Sequence, residues 1–471
     1  MARFVNNTQY VVLFYFLAVN TFYLILFVIS LWAILGYVRR MSYRDLQEIT
    51  RSKLTPPISI LIPAYNEAAN ITSSVHAILQ VNYPEYEVIV INDGSTDDTL
   101  QKLIQAFGLR ETKRIYHQTI PTKKVKGIYA ASKATPWAKV LVLDKENGGK
   151  ADALNAGINV SQYPLFCSVD ADSILEKDSL TRVALPFMER FGGTVGVGGI
   201  VRVANGCSIS HGMVMKVRLS KKWLPRFQVV EYLRAFLSGR IAWSKLNGLL
   251  IVSGAFGLFR KDPVIDVKGF DTSTVGEDME LVLRLHRNLR TKERQCRVEF
   301  IPDPVCWTEV PEKLKTLWKQ RSRWQRGLGQ SLFKHSFVFL NPRYKLIGLL
   351  AAPYFWAVEF MSPLIELFGY AVLFLAVVFG VAQWAAFGAF FALSVLMGIN
   401  LSLLAVLLEE FTLHRYPGVR DLLRLLAASV LENLGYRQMI NLARLNGMID
   451  LFRRKSHWGT MERKGLEEPV R

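Results

Sequence analysis

Four separated acidic segments contain the side chains of this sequence that could do chemistry. They hold Glu67 in IPAYNE (62–67), Asp93 in NDGSTDDT (92–99), Asp170 and Asp172 in VDADS (169–173), and Glu277 with Asp278 in GEDME (276–280). Each segment alone also fits an ordinary turn, because Asp and Ser bond their own backbone there. Their order and spacing along one chain favour a shared acidic site.

The alternating carboxylates Asp170 and Asp172 are suited to a divalent cation. Two such oxygen ligands can hold a magnesium or manganese ion that is shared with a diphosphate. The ion then acts as a Lewis acid on a departing nucleoside diphosphate. Lys150 in KENGGKADALN (145–155) offers a further cation, although a solvated loop lysine is the alternative interpretation. We therefore expect magnesium or manganese as the cofactor.

Transfer of a group from such a diphosphate to a hydroxyl also needs a base, and Asp278 is the candidate. A carboxylate beside a metal-bound diphosphate can take the proton from the acceptor hydroxyl. The alternative role is helix capping, because Asp278 directly precedes the helical run MELVLRLHRNL (279–289). Capping and catalysis are compatible.

Short apolar runs lead into the acidic segments or stand near them, and they are expected to position these segments. The runs are ISILIP (58–63), YEVIVIND (86–93), KVLVLD (139–144) and LFCSVDAD (165–172). They alternate with helical stretches, which indicates an α/β fold whose parallel sheet is covered on both faces. Each run ends in polar or acidic residues, at the carboxyl ends of strands where open α/β sheets bind ligands.

Apolar residues concentrate on both sides of this region, at 10–38 and 346–408. The charge-free run 10–38 is long enough to cross a bilayer, and a cleaved signal peptide is the alternative. Two further spans are expected near 364–382 and 385–408, after an interfacial or re-entrant stretch at 346–362. Residues 422–452 fit either an interface helix or a span that faces a polar channel.

The net charge of +19 raises the question of nucleic-acid binding. The basic residues, however, flank the apolar runs: Arg39, Arg40 and Arg44 follow the first, and the segment 319–326 precedes the second. This distribution follows the positive-inside rule. We expect a multi-pass protein of the plasma (inner) membrane with a cytoplasmic catalytic domain, and no nucleic-acid partner.

Seven segments together resemble the processive family-2 membrane glycosyltransferases, such as cellulose, hyaluronan, chitin and poly-N-acetylglucosamine synthases. They are IPAYNE, NDGSTDDT, GGKADALN (148–155), VDADS, SGAFGLFRK (253–261), GEDME and QRSRW (320–324). The most specific is QRSRW, which matches the Gln-x-x-Arg-Trp signature of that group and stands just before the second membrane region. The closing YRQ (436–438) and WGTMERKG (458–465) look most like bacterial synthases near the poly-N-acetylglucosamine branch.

The resemblance implies a GT-A fold, which is Rossmann-like with a mostly parallel sheet, and it implies an inverting transfer from a UDP-sugar. The donor-binding residues that it implies are Tyr65, Glu67, Asp93, Lys150, Asp170, Gln320 and Arg323. Asp170 and Asp172 become the metal ligands, Trp324 and Glu277 contact the acceptor, and Asp278 is the general base. One departure is Gly276, since members of the family often carry Thr there, so a threonine contact is lost.

The expected organisation has five parts. They are an N-terminal transmembrane helix (1–45), a cytoplasmic GT-A domain (46–310), amphipathic interfacial helices with QRSRW (311–345), a C-terminal membrane region (346–452) and a basic cytoplasmic tail (453–471). The expected partners are a UDP-sugar donor, a glycan or lipid-linked acceptor, membrane lipid and accessory or export subunits.

Three activities fit these features. The first is processive polysaccharide synthesis coupled to translocation through the membrane, and the second is a single transfer to a lipid acceptor. The third is a transporter with a regulatory nucleotide-binding domain. A transporter needs ionisable residues within its spans, yet 367–408 is nearly free of charge. The first activity is favoured.

Overall fold

A computed structural model describes residues 2–52, 54–189, 193–210, 212–380, 384–416 and 418–453. The described residues form two compact units. The helical unit comprises 2–40, 220–248 and 311–453, and the sheet unit comprises 41–219 and 249–310. The predicted tail, 453–471, lies outside the described residues except for its first residue, and WGTMERKG lies wholly outside them.

All described strands belong to the sheet unit. They are β1 (Ile58–Ala64), β2 (Tyr86–Asp93), β3 (Arg110–Glu111), β4 (Val125–Ala130), β5 (Val140–Lys145), β6 (Leu165–Val169), β7 (Ile174–Leu175), β8 (Thr194–Val203), β9 (Ser208–Ser210), β10 (Met213–Lys216), β11 (Phe256–Arg260) and β12 (Arg297–Thr308).

The α-helices are distributed over both units. In chain order they are α1 (Ala2–Met41), α2 (Leu46–Arg51), α3 (Ile71–Ile78), α4 (Thr99–Phe107), α5 (Lys150–Val160), α6 (Ser179–Glu189), α7 (Trp223–Leu233), α8 (Ile241–Lys245), α9 (Lys261–Asp266), α10 (Glu277–Thr291), α11 (Leu314–Lys334), α12 (Ala352–Tyr354), α13 (Ser362–Val378), α14 (Trp384–Phe391), α15 (Met397–Thr412), α16 (Val419–Leu431) and α17 (Arg437–Phe452).

Short 3₁₀ and π-helical segments continue or connect several of these helices. The 3₁₀ turns are Ser336–Val338 and Pro342–Tyr344. The π-helical segments are Arg234–Arg240, Ile347–Ala351, Phe355–Phe360, Ala392–Leu396 and Glu432–Tyr436.

One mixed sheet forms the core of the sheet unit. Among the described residues its order is β3-β4-β5-β2-β1-β6-β11-β8-β12-β7. The central strands β5, β2, β1 and β6 are parallel. Strand β4 runs antiparallel to β5, and β11 runs antiparallel to both β6 and β8. The predicted α/β class with a parallel centre is confirmed.

The apolar composition of the central strands explains why they are buried. Every residue of β2 and β5 is buried, since Val, Ile and Leu dominate both strands and suit a sheet that is covered on both faces. Helix α5 packs against β1 and β2, and its residues 151–160 are all buried. The position of the first residue of α5 is therefore set by a helix that is held firmly on the sheet.

The parallel strands bring polar residues together at one edge of the sheet. Strand β2 ends at Asp93, β5 ends at Lys145, and β6 ends immediately before Asp170. The register pairs Asn92 with Asp144 and Asp93 with Lys145. Because the carboxyl ends of parallel strands share an edge, side chains from distant parts of the sequence meet there.

In the helical unit, the described residues include two helices that are long and apolar enough to cross a membrane, Tyr10–Met41 and Gly388–Thr412. The pair Ile347–Phe360 and Ser362–Val378 is bent by 46° and becomes a third candidate if it is one span. The prediction for 385–408 thus falls within helical residues. For 364–382, the helix ends at Val378, and the last two predicted residues lie outside the described part of the chain.

Residues 220–248 fall inside the range predicted for the catalytic domain, but they belong to the helical unit. Ser30 Oγ of α1 donates a hydrogen bond to Ser238 O at 3.0 Å. The rings of Phe22, Trp243 and Tyr354 pack with centroid distances of 5.1–5.9 Å. These ring contacts join α8 to α1 and α12 within the helical unit.

The segment 422–452, for which two interpretations were open, consists of two helices with a break between them. Leu434 and Gly435 have non-helical backbone angles, and α17 then packs along α11. Arg444 Nε on α17 donates to Gln325 Oε1 on α11 at 2.9 Å. Helix α17 therefore has a polar contact with the helix that carries QRSRW.

Candidate active site

The loops that follow β1 and β2 are joined by side-chain hydrogen bonds. The backbone N–H of Asn66 donates to Ser95 Oγ at 3.0 Å, and Asn66 Oδ1 accepts from Thr96 N at 2.8 Å. Asn66 has a φ of 56°, a left-handed conformation that Asn tolerates better than most residues. The neighbouring Tyr65 is 48% exposed, and Glu67 is half-buried. The loop therefore presents an accessible aromatic face at the edge of the sheet.

Asp93 anchors a second loop at this edge. Its Oδ1 lies 2.6 Å from Lys145 Nζ and accepts from Gly148 N at 3.0 Å, while its Oδ2 accepts from Gly149 N at 2.7 Å. Both carboxylate oxygens thus bind protein donors. The predicted contact of Asp93 with uridine stays a prediction.

Lys150 begins helix α5 at the same edge. It follows Gly149, whose φ of +86° is a conformation that residues with a side chain rarely adopt. The Lys150 ammonium donates to Asp170 Oδ1 at 2.5 Å and to Gly254 O at 2.9 Å. It also lies 4.0 Å from Glu277 Oε1. The structure therefore joins three of the predicted segments through one lysine.

These groups converge at Gly254, which has no side chain, and we call the position that a Cβ would take on this residue the Gly254 space. A Cβ built on Gly254 would lie 3.2 Å from Lys150 Nζ, 3.7 Å from Asp278 Oδ2 and 3.9 Å from Glu277 Oε1. One cation and two carboxyl groups therefore lie within 4 Å of the same position. Fixed charges that converge in this way can act together on one polar ligand.

The start of helix α10 places Glu277 and Asp278. The N-cap residue is Gly276, which makes no side-chain capping bond, so Asp278 lies within the first turn and is not the cap. Asp278 Oδ1 accepts from Met279 N at 2.8 Å, and its Oδ2 is the oxygen near the Gly254 space. A carboxylate in the first turn is also stabilised by the helix dipole.

Burial and charge shift two groups of this cluster. Burial, together with the nearby Asp278 charge, raises the pKa of Glu277 to about 7, although the Lys150 ammonium opposes this shift. Burial by itself lowers the pKa of Lys150, but the Asp170 and Glu277 carboxylates outweigh burial and raise it. Lys150 is therefore charged at neutral pH, while Glu277 titrates near neutrality. A pKa moved toward neutrality is typical of functional sites.

Asp170 and Asp172 follow β6 and are half-buried. Burial raises the pKa of the Cys306 thiol to about 12, and the charges of Asp170 and Asp172 add to this shift, which places both carboxylates near β12. Among the described residues, no group of three or more His, Cys, Asp and Glu could hold a metal. Two carboxylates still fit magnesium, which binds one or two of them and completes its shell with water and phosphate.

The QRSRW residues lie on α11, in the helical unit. Gln320 and Arg323 are half-buried, and Trp324 is 45% exposed. The Trp324 ring lies 4.1 Å from the guanidinium carbon of Arg321, within the range of a cation–π contact. The predicted roles of these residues at the diphosphate and the acceptor stay predictions.

The buried Arg321 and the half-buried Glu231 form an ion pair that sequence reasoning missed. Arg321 Nη2 lies 2.8 Å from Glu231 Oε2, and Tyr436 OH donates to the same oxygen at 2.7 Å. Tyr436 is the first residue of the YRQ segment. No pattern in the sequence pairs residues 90 and 205 positions apart, so only the fold reveals this network.

Lys145 was also missed, although a signal for it existed. It is 0% exposed and lies at the end of an apolar strand. A charged residue in continuous apolar sequence requires an ionic partner when the strand is buried. The neighbouring pair, Asn92 Nδ2 to Asp144 Oδ1 at 2.7 Å, follows the same rule.

Comparisons with known proteins show which family and fold this chain resembles. A family model described as "Glycosyltransferase like family 2" matches residues 56–327, which is more than half of the chain. The chain is 30% identical over 293 residues to a poly-beta-1,6-N-acetyl-D-glucosamine synthase of Staphylococcus aureus (strain COL), covering 61% of this chain and 58% of the relative. It is 28% identical over 275 residues to the protein of that name from Staphylococcus epidermidis, covering 57% and 54%. The chain thus spans less than two thirds of these relatives.

A solved structure with a similar fold is the mannosyltransferase PcManGT from Pyrobaculum calidifontis in complex with GDP-Man and Mn²⁺. The TM-score is 0.50 at 19% identity, and the likeness covers 89% of this chain and 99% of that chain. At this level of identity the likeness concerns the fold.

Proposed function

This chain belongs to glycosyltransferase family 2, and from that premise we propose that it transfers sugar with inversion from a UDP-sugar to a growing polysaccharide. Its sheet has the GT-A-like fold that the sequence predicted, and the predicted enzyme class, a glycosyltransferase, is likewise confirmed. The observation that carries the proposal is the convergence of Lys150, Asp170, Glu277 and Asp278 around the space beside Gly254.

The donor is held in two places in this proposal. Tyr65 offers an exposed ring on which a nucleobase can stack, and Glu67 and Asp93 complete the uridine site. The diphosphate lies at the Lys150 ammonium beside Asp170, where a fixed positive charge offsets phosphate oxygens. The Lys150 side chain is 14% exposed, so it reaches the ligand while most of it stays within the protein.

Asp170 and Asp172 would hold a magnesium or manganese ion. The ion supplies Lewis-acid stabilisation of the departing diphosphate when it is bound. The two carboxylates cannot saturate its coordination shell, so diphosphate oxygens and water complete it. Support for this choice comes from the donor set itself, since carboxylate oxygens are the ligands that such hard cations prefer.

Asp278 acts as the base. Its Oδ2 borders the Gly254 space and accepts the proton of the acceptor hydroxyl. The acceptor oxygen forms a bond to the anomeric carbon as the bond from that carbon to the diphosphate oxygen breaks, and UDP leaves with the electron pair. A single displacement of this kind inverts the anomeric configuration.

The acceptor contacts Glu277 and Trp324 in this proposal. Glu277 borders the same space as Asp278 and can hydrogen-bond a sugar hydroxyl in either protonation state. Trp324 offers an exposed ring suited to stacking on a sugar face. Gln320 and Arg323 are proposed to close over the diphosphate, for which a planar guanidinium has suitable geometry.

The product is proposed to be a polysaccharide made processively and moved across the membrane. The names of the staphylococcal relatives support a polymer product and make UDP-N-acetylglucosamine the first donor to test. Transfer of one sugar to a lipid acceptor is the second candidate. It is favoured by the small number of candidate spans, two or three among the described residues. Accessory or export subunits would supply a path if the chain alone does not.

The proposed location is the plasma (inner) membrane, with several spans and the sheet unit in the cytoplasm. Arg39 and Arg40 in the last turn of α1 support this orientation, because basic residues favour the cytoplasmic end of a span. The same rule applies to a single-span protein, so it supports orientation and leaves the number of spans to experiment.

The test uses the full chain purified into lipid with magnesium and single UDP-sugars. We expect UDP release with one preferred donor and long polymer at early times. Release of UDP with only one added sugar on a lipid would support the second candidate. Absence of UDP release with every donor, from protein that melts cooperatively, would contradict both.

A further inference from the structure

A fully buried lysine lies next to the proposed site. Lys145 ends β5, is 0% exposed, and its ammonium lies 2.6 Å from Asp93 Oδ1 and 2.6 Å from Asp152 Oδ2. The third acceptor is Glu146 O, also at 2.6 Å. The ammonium donates hydrogen bonds to Asp93 and to Glu146 O, and it forms an ion pair with Asp152.

We propose that Lys145 is a positioning residue for the donor site and that it acts through Lys150. This inference rests on the proposed function, since it concerns the same diphosphate site. Lys145 does not need to touch the donor for this role. It fixes the loop 146–149, from which Lys150 emerges.

The path from Lys145 to Lys150 consists of short, direct contacts. The ammonium holds the Asp93 carboxylate, and that carboxylate accepts from the amides of Gly148 and Gly149. Asn147 Nδ2 adds a hydrogen bond to Asp93 O at 2.8 Å. Lys150 directly follows Gly149 in the chain, and its ammonium lies 2.5 Å from Asp170 Oδ1. A change at Lys145 therefore moves the backbone that sets the position of Lys150.

Stability alone does not explain this arrangement. Taking an ammonium and two carboxylates out of water costs free energy that their mutual attraction only partly offsets. An apolar side chain of similar volume often serves a buried position equally well. What charged groups add is a single defined geometry, because the directed contact of Lys145 fixes the Asp93 carboxylate that holds the amides of Gly148 and Gly149. Defined geometry is what a catalytic cation requires.

Asp93 takes a second role in this account. Its Oδ1 accepts hydrogen bonds from Lys145 Nζ and Gly148 N, and its Oδ2 accepts one from Gly149 N. Asp93 therefore connects the buried lysine to the start of α5. Any contact with uridine is additional to this structural link. Because Asp93 is part of the path from Lys145 to Lys150, a substitution of Asp93 cannot be the control for the Lys145 variants.

The variant that tests Lys145 must not leave two buried carboxylates without a cation. Lys145→Met alone would leave Asp93 and Asp152 without their cation, so Lys145→Met is combined with Asp152→Asn, which removes one charge of each sign. Asp152→Asn alone is the matched control. It keeps Lys145 beside Asp93, and the amide oxygen of Asn can accept from the Lys145 ammonium, now 2.6 Å from Asp152 Oδ2. We expect the control to stay within about threefold of wild-type kcat/KM.

The decisive measurement is a double-mutant cycle on UDP release by the full chain in lipid with magnesium. Lys145→Met/Asp152→Asn is compared in the wild-type and Lys150→Met backgrounds, and Lys145→Gln is carried through the same cycle. Lys150→Met is expected to lower kcat/KM by about 100-fold. The paired change should lower it at least about tenfold in the wild-type background and less than about threefold in Lys150→Met, because its effect passes through Lys150. Lys145→Gln should show the same non-additivity.

The proposal would be overturned if Lys145→Met/Asp152→Asn lowered kcat/KM by the same factor in the wild-type and Lys150→Met backgrounds. It would also be overturned if this variant kept the wild-type kcat/KM. Failure of both Lys145 variants to fold would also overturn it, since Lys145 would then serve the fold itself. Absence of UDP release from the wild type would remove the proposed function and this inference with it. Additive effects in an active enzyme would remove the inference alone.

Discussion

The two units use buried charge in different ways. In the helical unit, Arg234 Nη1 lies 2.7 Å from Glu432 Oε1 and 2.7 Å from Ser402 Oγ, which joins three segments of the fold. In the sheet unit, Asp170 and Asp278 belong to a cluster around Gly254 and are only half-buried. Charge in the helical unit holds helices together, whereas charge at the sheet edge is arranged for a ligand.

This contrast shows which kind of charged residue the two units require. A network that packs helices needs each charge to be matched by groups within the protein, because an unmatched buried charge is costly. A site for a diphosphate needs fixed charges that a ligand can reach. The predictions below separate these two uses.

The largest expected effect is at the proposed base. Asp278→Asn keeps the size of the side chain but cannot accept the proton, so we expect UDP release to fall by about 10²- to 10⁴-fold. The thermal midpoint should stay near that of wild type, because the ion pair between Lys150 and Asp170 does not include Asp278. Turnover near the wild-type rate would make the assignment of the base wrong.

The helical unit should respond through stability. Arg321→Leu leaves the half-buried Glu231 without this cation, and we expect a loss of about 1–3 kcal/mol in the free energy of unfolding. Its matched control is Arg321→Leu with Glu231→Leu, which removes both charges and should recover most of that loss. Thermal midpoints in one detergent are the measurement. Equal midpoints for the single and double variants would show that the pair does not hold the helices.

A smaller effect is expected at Gly254, where the sheet unit carries no side chain. Gly254→Ala places a methyl group 3.2 Å from Lys150 Nζ, and we expect kcat/KM to fall about tenfold, which corresponds to ~1.4 kcal/mol. Gly239→Ala is the control, since its Cβ meets no atom within 4 Å. If both variants retain wild-type kcat/KM, the Gly254 space is not where the ligand binds.

The smallest effect concerns pH. The pKa of Glu277 is about 7 in the folded protein against an ordinary value of 4.5, so between these values the folded state binds more protons than the unfolded state. Stability therefore falls as the pH rises through this window. Glu277→Gln removes this contribution. We expect the thermal midpoint of the variant, relative to that of wild type, to increase between pH 5 and pH 8. A constant difference across that range would contradict the shift.

The sequence predicts the central strands and their acidic ends well, because continuous Val, Ile and Leu runs determine both strand identity and burial. It did not reveal which charges meet. Lys145 and Asp152 are paired by the register of β2 with β5 and by the packing of α5, and these are properties of the assembled sheet. Pairing across long sequence separations depends on tertiary packing, which local pattern does not record.

The helical unit was harder to predict for a related reason. The residues 220–248 contain both aromatic and charged side chains, and such a composition fits either unit. Their place among the terminal helices depends on contacts such as Trp243 with Tyr354, at a centroid distance of 5.1 Å. Amphipathic segments need knowledge of their partner surface, whereas the buried strands carry that information in their own composition.

The most direct test of the central claim is calorimetric titration of UDP, with magnesium, into the full chain in detergent. The comparison includes wild type, Lys150→Met and Asp172→Asn, with Asp152→Asn as the control. We predict that wild type and the control bind UDP with similar affinity, and that Lys150→Met and Asp172→Asn each lose about tenfold or more. Equal UDP affinity in all four proteins would contradict a diphosphate site at this edge of the sheet.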